Sequence, residues 1–447
     1  MAERRAQRSV AADGEGVVSD LNHDGAGVLR DERDGKTIFV AGALPGEQVR
    51  FRRIRTHRAF DEAELIDVLR PAPFRIAPRC EHFGVCGGCA LQHADAAAQL
   101  QAKERQLRET LARIAGVEPA EWLAPIAAEP WHYRRRARLG VKFVAKKGRV
   151  LVGFRERRQP YVAELKHCVI LAPQVGSLLN ALAELIGGLS VRAAIPQIEV
   201  AVAEQTTALT LRVLAPLTAA DRAALLAFEA RHGLRFLLQP GGPASIEPLA
   251  GSWPSLSYRL PAFALEMEFG PVDFIQINAQ VNERMVAQAV RLLDAGTSAR
   301  VLDLYCGIGN FSLPLARCGA TVVGVEGDSA MVARARANAA RNGIANAQFI
   351  AADLRAPCGA ATWLRGGFTH VLLDPPRTGA SAVLPALGAL QPERIVYVSC
   401  HPGTLARDLA VLCREWHYAV RAAGLVDMFP HTAHSEAMVL LERAGAA

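Results

Sequence analysis

No apolar stretch of the 447-residue sequence runs free of charge, Gly or Pro for the length a bilayer span requires, so the reading is of a protein with no membrane association. The N-terminal MAERRAQRSVAADGEG has no apolar signal core, and the expected location is the cytoplasm. A disulfide framework is missing as well, because nine cysteines, an odd number, in a long chain without a secretory leader do not read as a stapled scaffold. Apolar residues are plentiful at 51%, and the length exceeds what one core organises, so two or three domains are expected.

The net charge of +7 is modest for the whole chain, but the excess is clustered. Between Trp131 and Arg158 lie eleven Lys or Arg and one acid, Glu156, with Trp131, Tyr133, Phe143 and Phe154 interleaved. Cations mixed with aromatics suit a nucleic-acid surface better than a merely solvated face. From Val17 to Leu69, short β-like runs separated by turns predict a small barrel. Alternation there sends Arg50 and Arg52 to one face and Arg53 and Arg55 to the other, and with Arg58 these predict a basic rim for an RNA backbone. Small barrels that bind protein would look alike at this point.

Pro71, Pro73 and Pro78 end that pattern. A helix is expected over 94–114, followed by mixed strands and helices to about 262. From Gly270 the order becomes strand, glycine-rich turn, helix, repeated. VLDLY, TVVGVE, AQFIAAD, HVLLD and RIVYVS are buried-strand candidates, and a helix over 328–342 would be capped by Gly343. The expected organisation is an OB-like barrel over 1–70, a central α+β domain carrying a cysteine cluster over 71–262, and a doubly wound α/β domain over 263–447.

The segment from Asp303 to Asn310, DLYCGIGN, falls where the first of those strands turns into a helix, so its glycines let backbone approach a ligand. Glu326 ends the next strand at the spacing suited to ribose hydroxyls, and Asp353 ends the third. A dinucleotide loop would need a third glycine to seat a pyrophosphate, and Asn310-Phe311 stand there instead. S-adenosylmethionine, which has no phosphate, fits the pattern.

Leu373-Asp374-Pro375-Pro376-Arg377 ends the fourth strand. Amine methyltransferases place an aromatic after the proline pair to stack on a base, and Arg377 cannot do this. Cys400, in VSCHP, ends the fifth strand beside the same crevice. Carbon 5 of uracil becomes nucleophilic only when a thiolate adds to carbon 6, so this chemistry needs a cysteine that oxygen or amine methylation does not. A base must then remove the carbon-5 hydrogen, and Glu436 in DMFPHTAHSE is the candidate.

Cys80, Cys86 and Cys89, among glycines that permit tight turns, supply three thiolates from one loop, with Cys168 the candidate fourth. Four thiolates suit structural zinc and an iron–sulfur cluster alike.

Together FIQIN (Phe274 to Asn278), DLYCGIGNF, DPPR, SCHPGTLARD and DMFPHTAHSE resemble the RNA uracil-5-methyltransferase family over almost the whole chain. The resemblance implies Gln276, Tyr305, Asn310, Glu326, Asp353 and Asp374 as S-adenosylmethionine contacts, Cys400 as nucleophile and Glu436 as base. His401 stands where the family usually has Asn, and Tyr305 where Phe is frequent. Further, the resemblance implies an N-terminal TRAM domain, an OB-like RNA-binding module, and a [4Fe-4S] cluster on Cys80, Cys86, Cys89 and Cys168. That combination is similar to the bacterial branch acting on 23S ribosomal RNA, whereas the transfer-RNA branch generally lacks both features. No obligate protein partner is implied. A catalytically inert RNA-binding or chaperone protein would explain the barrel and the basic patches, but would not require Cys400 and Glu436.

Overall fold

The computed structural model describes residues 13–445 apart from 357 and 360. The segment read above as lacking a signal core falls largely in 1–12, outside the described residues, as does the start of the expected barrel. The chain divides into two compact units, one running up to Lys103 and including Phe429–His434, the other comprising Glu104–Met428 and Ser435 onward.

The first unit contains a six-stranded sheet in which Gly14–Val17, Gln48–Thr56, Phe60–Arg70, Thr37–Ala41, Ala26–Arg30 and Asp20–Leu21 lie side by side in that order. One face buries Val18, Leu29, Ile38, Val40, Val49, Phe51 and Ala63. Each fully buried aliphatic or aromatic side chain of this kind contributes roughly 1.5–3 kcal/mol relative to exposure. Along Gln48–Thr56, Val49 and Phe51 point inward while Arg50 and Arg52 are exposed. Arg53 follows the inward set, is only 7% exposed, and pairs with Asp31 and, at 3.2 Å, with Asp61. Lys36 completes the network on Asp61 at 2.6 Å. Arg53 therefore does not belong to a basic rim. The period-2 pattern that puts it opposite Arg52 also puts it with Val49 and Phe51, and a register shift between Arg53 and Arg55 returns Arg55 to solvent.

The predicted helix forms as Ala96–Thr110, widens to a π turn over Leu111–Ala115 and stops at Gly116, which takes a left-handed φ of 68°. Within the first unit its early turns grip the segment Phe429–His434. The Gln99 side chain accepts from His431 N at 2.9 Å, and Lys103 Nζ donates to Phe429 O at 3.0 Å. Ala90 N and Leu91 N both donate to His431 O, at 2.8 and 2.9 Å.

The second unit holds two large sheets. One is mixed and six-stranded, with Arg136–Val144 and Arg149–Gly153 as a hairpin at one side. The basic run of the sequence splits here. Arg138, Lys142, Lys146, Lys147 and Arg149 are exposed, whereas Arg135 is buried, its guanidinium 4.4 Å from the Tyr258 ring centroid and its Nε donating to Gln276 O at 2.8 Å.

The other sheet has eight strands. Ala347–Ala351, Thr321–Glu326, Arg300–Leu304, His370–Leu373 and Arg394–Ser399 run parallel, and Glu436–Arg443, antiparallel, joins them to Tyr418–Val426. All five sequence-predicted strands are present. Helices such as Ala279–Leu293, which buries Val281, Met285, Val286, Ala289 and Leu293, intervene in the chain between strands. Asp328 caps the predicted helix, Ser329–Arg341, by accepting from Ala330 N at 2.8 Å. Strand order reverses between Arg300–Leu304 and His370–Leu373, and in such sheets ligands bind outside the carboxyl ends of the strands at that reversal. Among the described residues, no helix is long and apolar enough to cross a membrane.

Candidate active site

The loop after Arg300–Leu304 folds back on itself. Tyr305, Gly307 and Gly309 all have positive φ (65°, 56° and 91°), a conformation that glycine adopts freely and tyrosine only at a cost of about 1 kcal/mol or more. The loop is held from the neighbouring strand. Tyr305 N and Cys306 N donate to Val325 O, and Gly307 N donates to Glu326 Oε2 at 3.1 Å. Beneath it Asp303 is fully buried, accepts from Ser312 Oγ, and has its carboxyl pushed up to about 7 by burial.

Asn310 is fixed by three contacts. Its Oδ1 accepts from Tyr258 OH at 2.8 Å and from Asn282 Nδ2 at 3.1 Å, and its Nδ2 donates to Asn282 Oδ1 at 2.9 Å. Tyr305 OH donates to Leu354 O at 3.4 Å, beside Asp353, whose exposed carboxylate is held below the usual range by hydrogen bonding with Arg355. Gln276 Nε2 donates to Asp374 Oδ2 at 3.4 Å. Thus Tyr305, Asn310, Glu326 and Asp353 line successive strand ends, and Gln276 and Asp374 meet one strand further on. Carboxylates at strand ends and an amide with spare hydrogen-bonding capacity fit a ligand with ribose hydroxyls and an amino-acid tail.

Cys400 directly follows Arg394–Ser399, and Glu436 opens the antiparallel neighbour, with Ser399 opposite Ala437. That register brings nucleophile and base candidates to one edge. Burial, then the charges of Glu436 and Asp374, push the Cys400 thiol up to about 11, and Arg377 acts in the opposite sense. Glu436 is 5% exposed, and burial, with Asp374 and Asp427 adding to it, pushes its carboxyl up to about 8. Its Oε2 is buried with no hydrogen-bond partner among the described residues. Burial likewise raises Asp374 to about 7, against the Gln276 hydrogen bond.

His401 keeps a role open to asparagine. Its Nδ1 accepts from Thr404 N at 3.2 Å and caps the helix Pro402–Glu415. Sequence reasoning passed over Asp303, Tyr258, Asn282 and Asp408, all of which support site residues. Asp303 and Asp408 stand at the start of DLYCGIGNF and the end of SCHPGTLARD. Tyr258 and Asn282 are remote in sequence, and no local pattern marks them.

In the first unit Cys80, Cys86 and Cys89 lie on one half-buried loop. Burial pushes the Cys80 thiol up, against the backbone N–H groups of His82 and Phe83, and Gly88 N donates to Cys86 Sγ at 3.4 Å. The N–H donor on Cys86 favours its thiolate, the form that ligates a metal. Cys168 lies in the second unit, its N donating to Gly176 O at 2.9 Å.

Residues 264–356 and 363–444 fit the profile of the family described as tRNA (Uracil-5-)-methyltransferase. A Stenotrophomonas maltophilia protein, 23S rRNA (uracil(1939)-C(5))-methyltransferase RlmD, is 50% identical over 95% of this chain and 96% of its own length. The RlmD of Xanthomonas oryzae pv. oryzae is also 50% identical, over 96% of each chain. The Pyrococcus abyssi tRNA (uracil-54, C5)-methyltransferase, solved with S-adenosyl-L-homocysteine, superposes with a TM-score of 0.72 at 23% identity, covering 96% of this chain and all of that one, and so shares its fold. With half of its residues shared over nearly its full length, the chain belongs to the family of RNA uracil-5-methyltransferases.

Proposed function

We propose that this chain transfers a methyl group from S-adenosylmethionine to carbon 5 of a uridine in 23S ribosomal RNA, the uridine numbered 1939 in its relatives. The observation that carries the chemistry is the pairing of Cys400 with a buried Glu436 carboxyl whose Oε2 has no partner among the described residues. A carbon acceptor needs both groups, whereas an oxygen or amine acceptor needs neither.

In this reading the Cys400 thiolate adds to C6 of the uracil, and the displaced electron pair makes C5 an enolate carbon. S-adenosylmethionine, when bound, supplies the methyl group as an electrophile on a sulfonium. C5 then carries both methyl and hydrogen. Glu436 removes the proton, the C5–C6 double bond re-forms, and the Cys400 thiolate leaves. A carboxylate whose conjugate acid is pushed up to about 8 is a stronger base than an ordinary glutamate. Gln276, Tyr305, Asn310, Glu326, Asp353 and Asp374 are the residues we assign to hold the cofactor.

We assign residues 1–70 to a TRAM-type RNA-binding domain, 71–262 to the central domain and 263–447 to the methyltransferase domain, in a cytoplasmic enzyme. Cys80, Cys86, Cys89 and Cys168 are assigned as ligands of a [4Fe-4S] cluster, a reading supported by the all-thiol donor set and the Gly88 N–H bonded to the Cys86 sulfur. Protein purified without oxygen should be brown and carry iron and sulfide in equal amounts. Stoichiometric zinc and no visible absorption would transfer the four thiolates to a structural zinc site. Function is tested by supplying labelled cofactor and RNA from a strain lacking the gene. Label should appear as 5-methyluridine at the assigned position of 23S ribosomal RNA, and label in transfer RNA alone would move the substrate to the other branch.

A further inference from the structure

Asp408, on the helix that follows Cys400, is fully buried, and four hydrogen bonds converge on its carboxylate. Ala380 N and Tyr397 OH each donate to Oδ2 at 2.7 Å, while Arg407 Nε and Nη2 donate to Oδ1 at 2.9 and 2.7 Å. The donors come from three segments. Tyr397 belongs to the strand that ends at the nucleophile, Ala380 to the loop that carries Asp374 and Arg377, and Arg407 to the helix itself. The same helix grips that loop twice more, through Arg407 Nη2 to Thr378 O at 3.0 Å and Thr404 Oγ1 to Arg377 O at 3.1 Å.

Gly379 makes the approach feasible. It has a φ of +81°, and a Cβ there would lie 2.5 Å from Arg407 Nη2 and 2.6 Å from Asp408 Oδ2. A buried carboxylate is costly, and apolar packing would hold a helix to a strand as well or better. What this carboxylate adds is a fixed register between the Cys400 segment and the 374–380 loop, neither of which is held by strand pairing at those residues. Arg377 is the cation of that loop, and its charge favours the Cys400 thiolate against Glu436 and Asp374.

We propose that Asp408 is a positioning residue for the covalent step, acting through the backbone of 377–380 to hold the loop that carries Asp374 and Arg377 in register with the Cys400 segment. This rests on the reading of Cys400 as nucleophile. RNA carrying 5-fluorouridine at the target reports on the step directly. Fluorine cannot leave C5 as a proton does, so the methylated protein–RNA adduct persists and its formation rate can be timed.

Asp408→Asn keeps the side-chain volume and should slow adduct formation by about 10²-fold, while KM and Kd for RNA and cofactor stay within about twofold. Tyr397→Phe removes a single donor and should slow it by about 2–10-fold. Arg377→Ala should also slow it, and adding Asp408→Asn to that variant should cost little more, because both changes act through the same loop. Wild-type adduct rates in Asp408→Asn below its melting temperature would overturn the proposal, as would fully additive effects in the double variant. If Asp408→Asn does not fold, Tyr397→Phe and Arg407→Ala decide, and unaltered rates in both overturn it. Failure of the wild-type protein to form any adduct would instead overturn the covalent reading, and the proposal with it.

Discussion

At the scale of single residues, Cys400 and Glu436 are assigned to different steps of one pathway, so their variants should fail differently. Cys400→Ala should form no adduct and no product. Glu436→Gln should still permit attack and methyl transfer, but the C5 proton is retained, so a methylated, denaturation-resistant protein–RNA complex should accumulate on gels. Normal turnover by Glu436→Gln would transfer the base role to another group. The same glutamate makes a stability prediction. Its folded-state pKa of about 8 lies above the ordinary 4.5, so between those values the folded protein binds more proton than the unfolded one, and stability falls as pH rises through that window. Glutamine has no such penalty. Glu436→Gln should therefore melt higher than wild type at pH 9, by about 5 °C, with the gap closing toward pH 5. A gap independent of pH would mean that Glu436 is not held protonated by burial.

Among the elements, the parallel strands were legible because each is a short apolar run ended by a turn, and the placement of Tyr305, Glu326, Asp374 and Cys400 was legible because such strands deliver the residues that end or follow them to one edge. Long-range structure was not. Nothing in the sequence around His431 shows that Gln99 and Lys103 hold its segment in the first unit, because those hydrogen bonds join residues more than three hundred apart in the chain. Arg53 shows a different failure. It looks like one more cation in GEQVRFRRIRTHR, yet it shares a face with Val49 and Phe51, and its partners Asp31 and Asp61 come from other strands and turns. Charge reversal there places three carboxylates together in a buried site. Arg53→Glu should destabilise the sheet by about 3–5 kcal/mol, the scale of a broken buried ion pair, and lower the melting temperature before any RNA is added. An unchanged melting temperature with weakened RNA binding would restore Arg53 to the binding surface.

For the molecule as a whole, a net charge of +7 says little about where a polyanion sits, because much of the basic sequence is engaged internally. Arg53 and Arg135 are buried, and Arg50 and Arg52 face Glu15 and Asp13. Of the exposed hairpin cations, Arg138 pairs with Glu199, and Lys147 and Arg149 share Glu164. Lys142 and Lys146 are exposed on the same hairpin, and Arg55 and Arg58 are exposed in the first unit. Cations held by carboxylates gain less from a phosphate, since the existing pair must first be broken, whereas cations facing water release condensed counterions from the RNA at no such cost. The logarithm of RNA affinity should fall linearly with the logarithm of salt concentration. Lys142→Glu, Lys146→Glu and Arg58→Glu should each reduce the slope by about one, leaving cofactor affinity unchanged. Arg138→Glu should change it less, because Glu199 already neutralises that cation. Equal effects at Arg138 and at Lys142, Lys146 and Arg58 would mean that the ion pairs open on binding. A slope near zero would mean that RNA is held by base stacking and shape rather than by its phosphates.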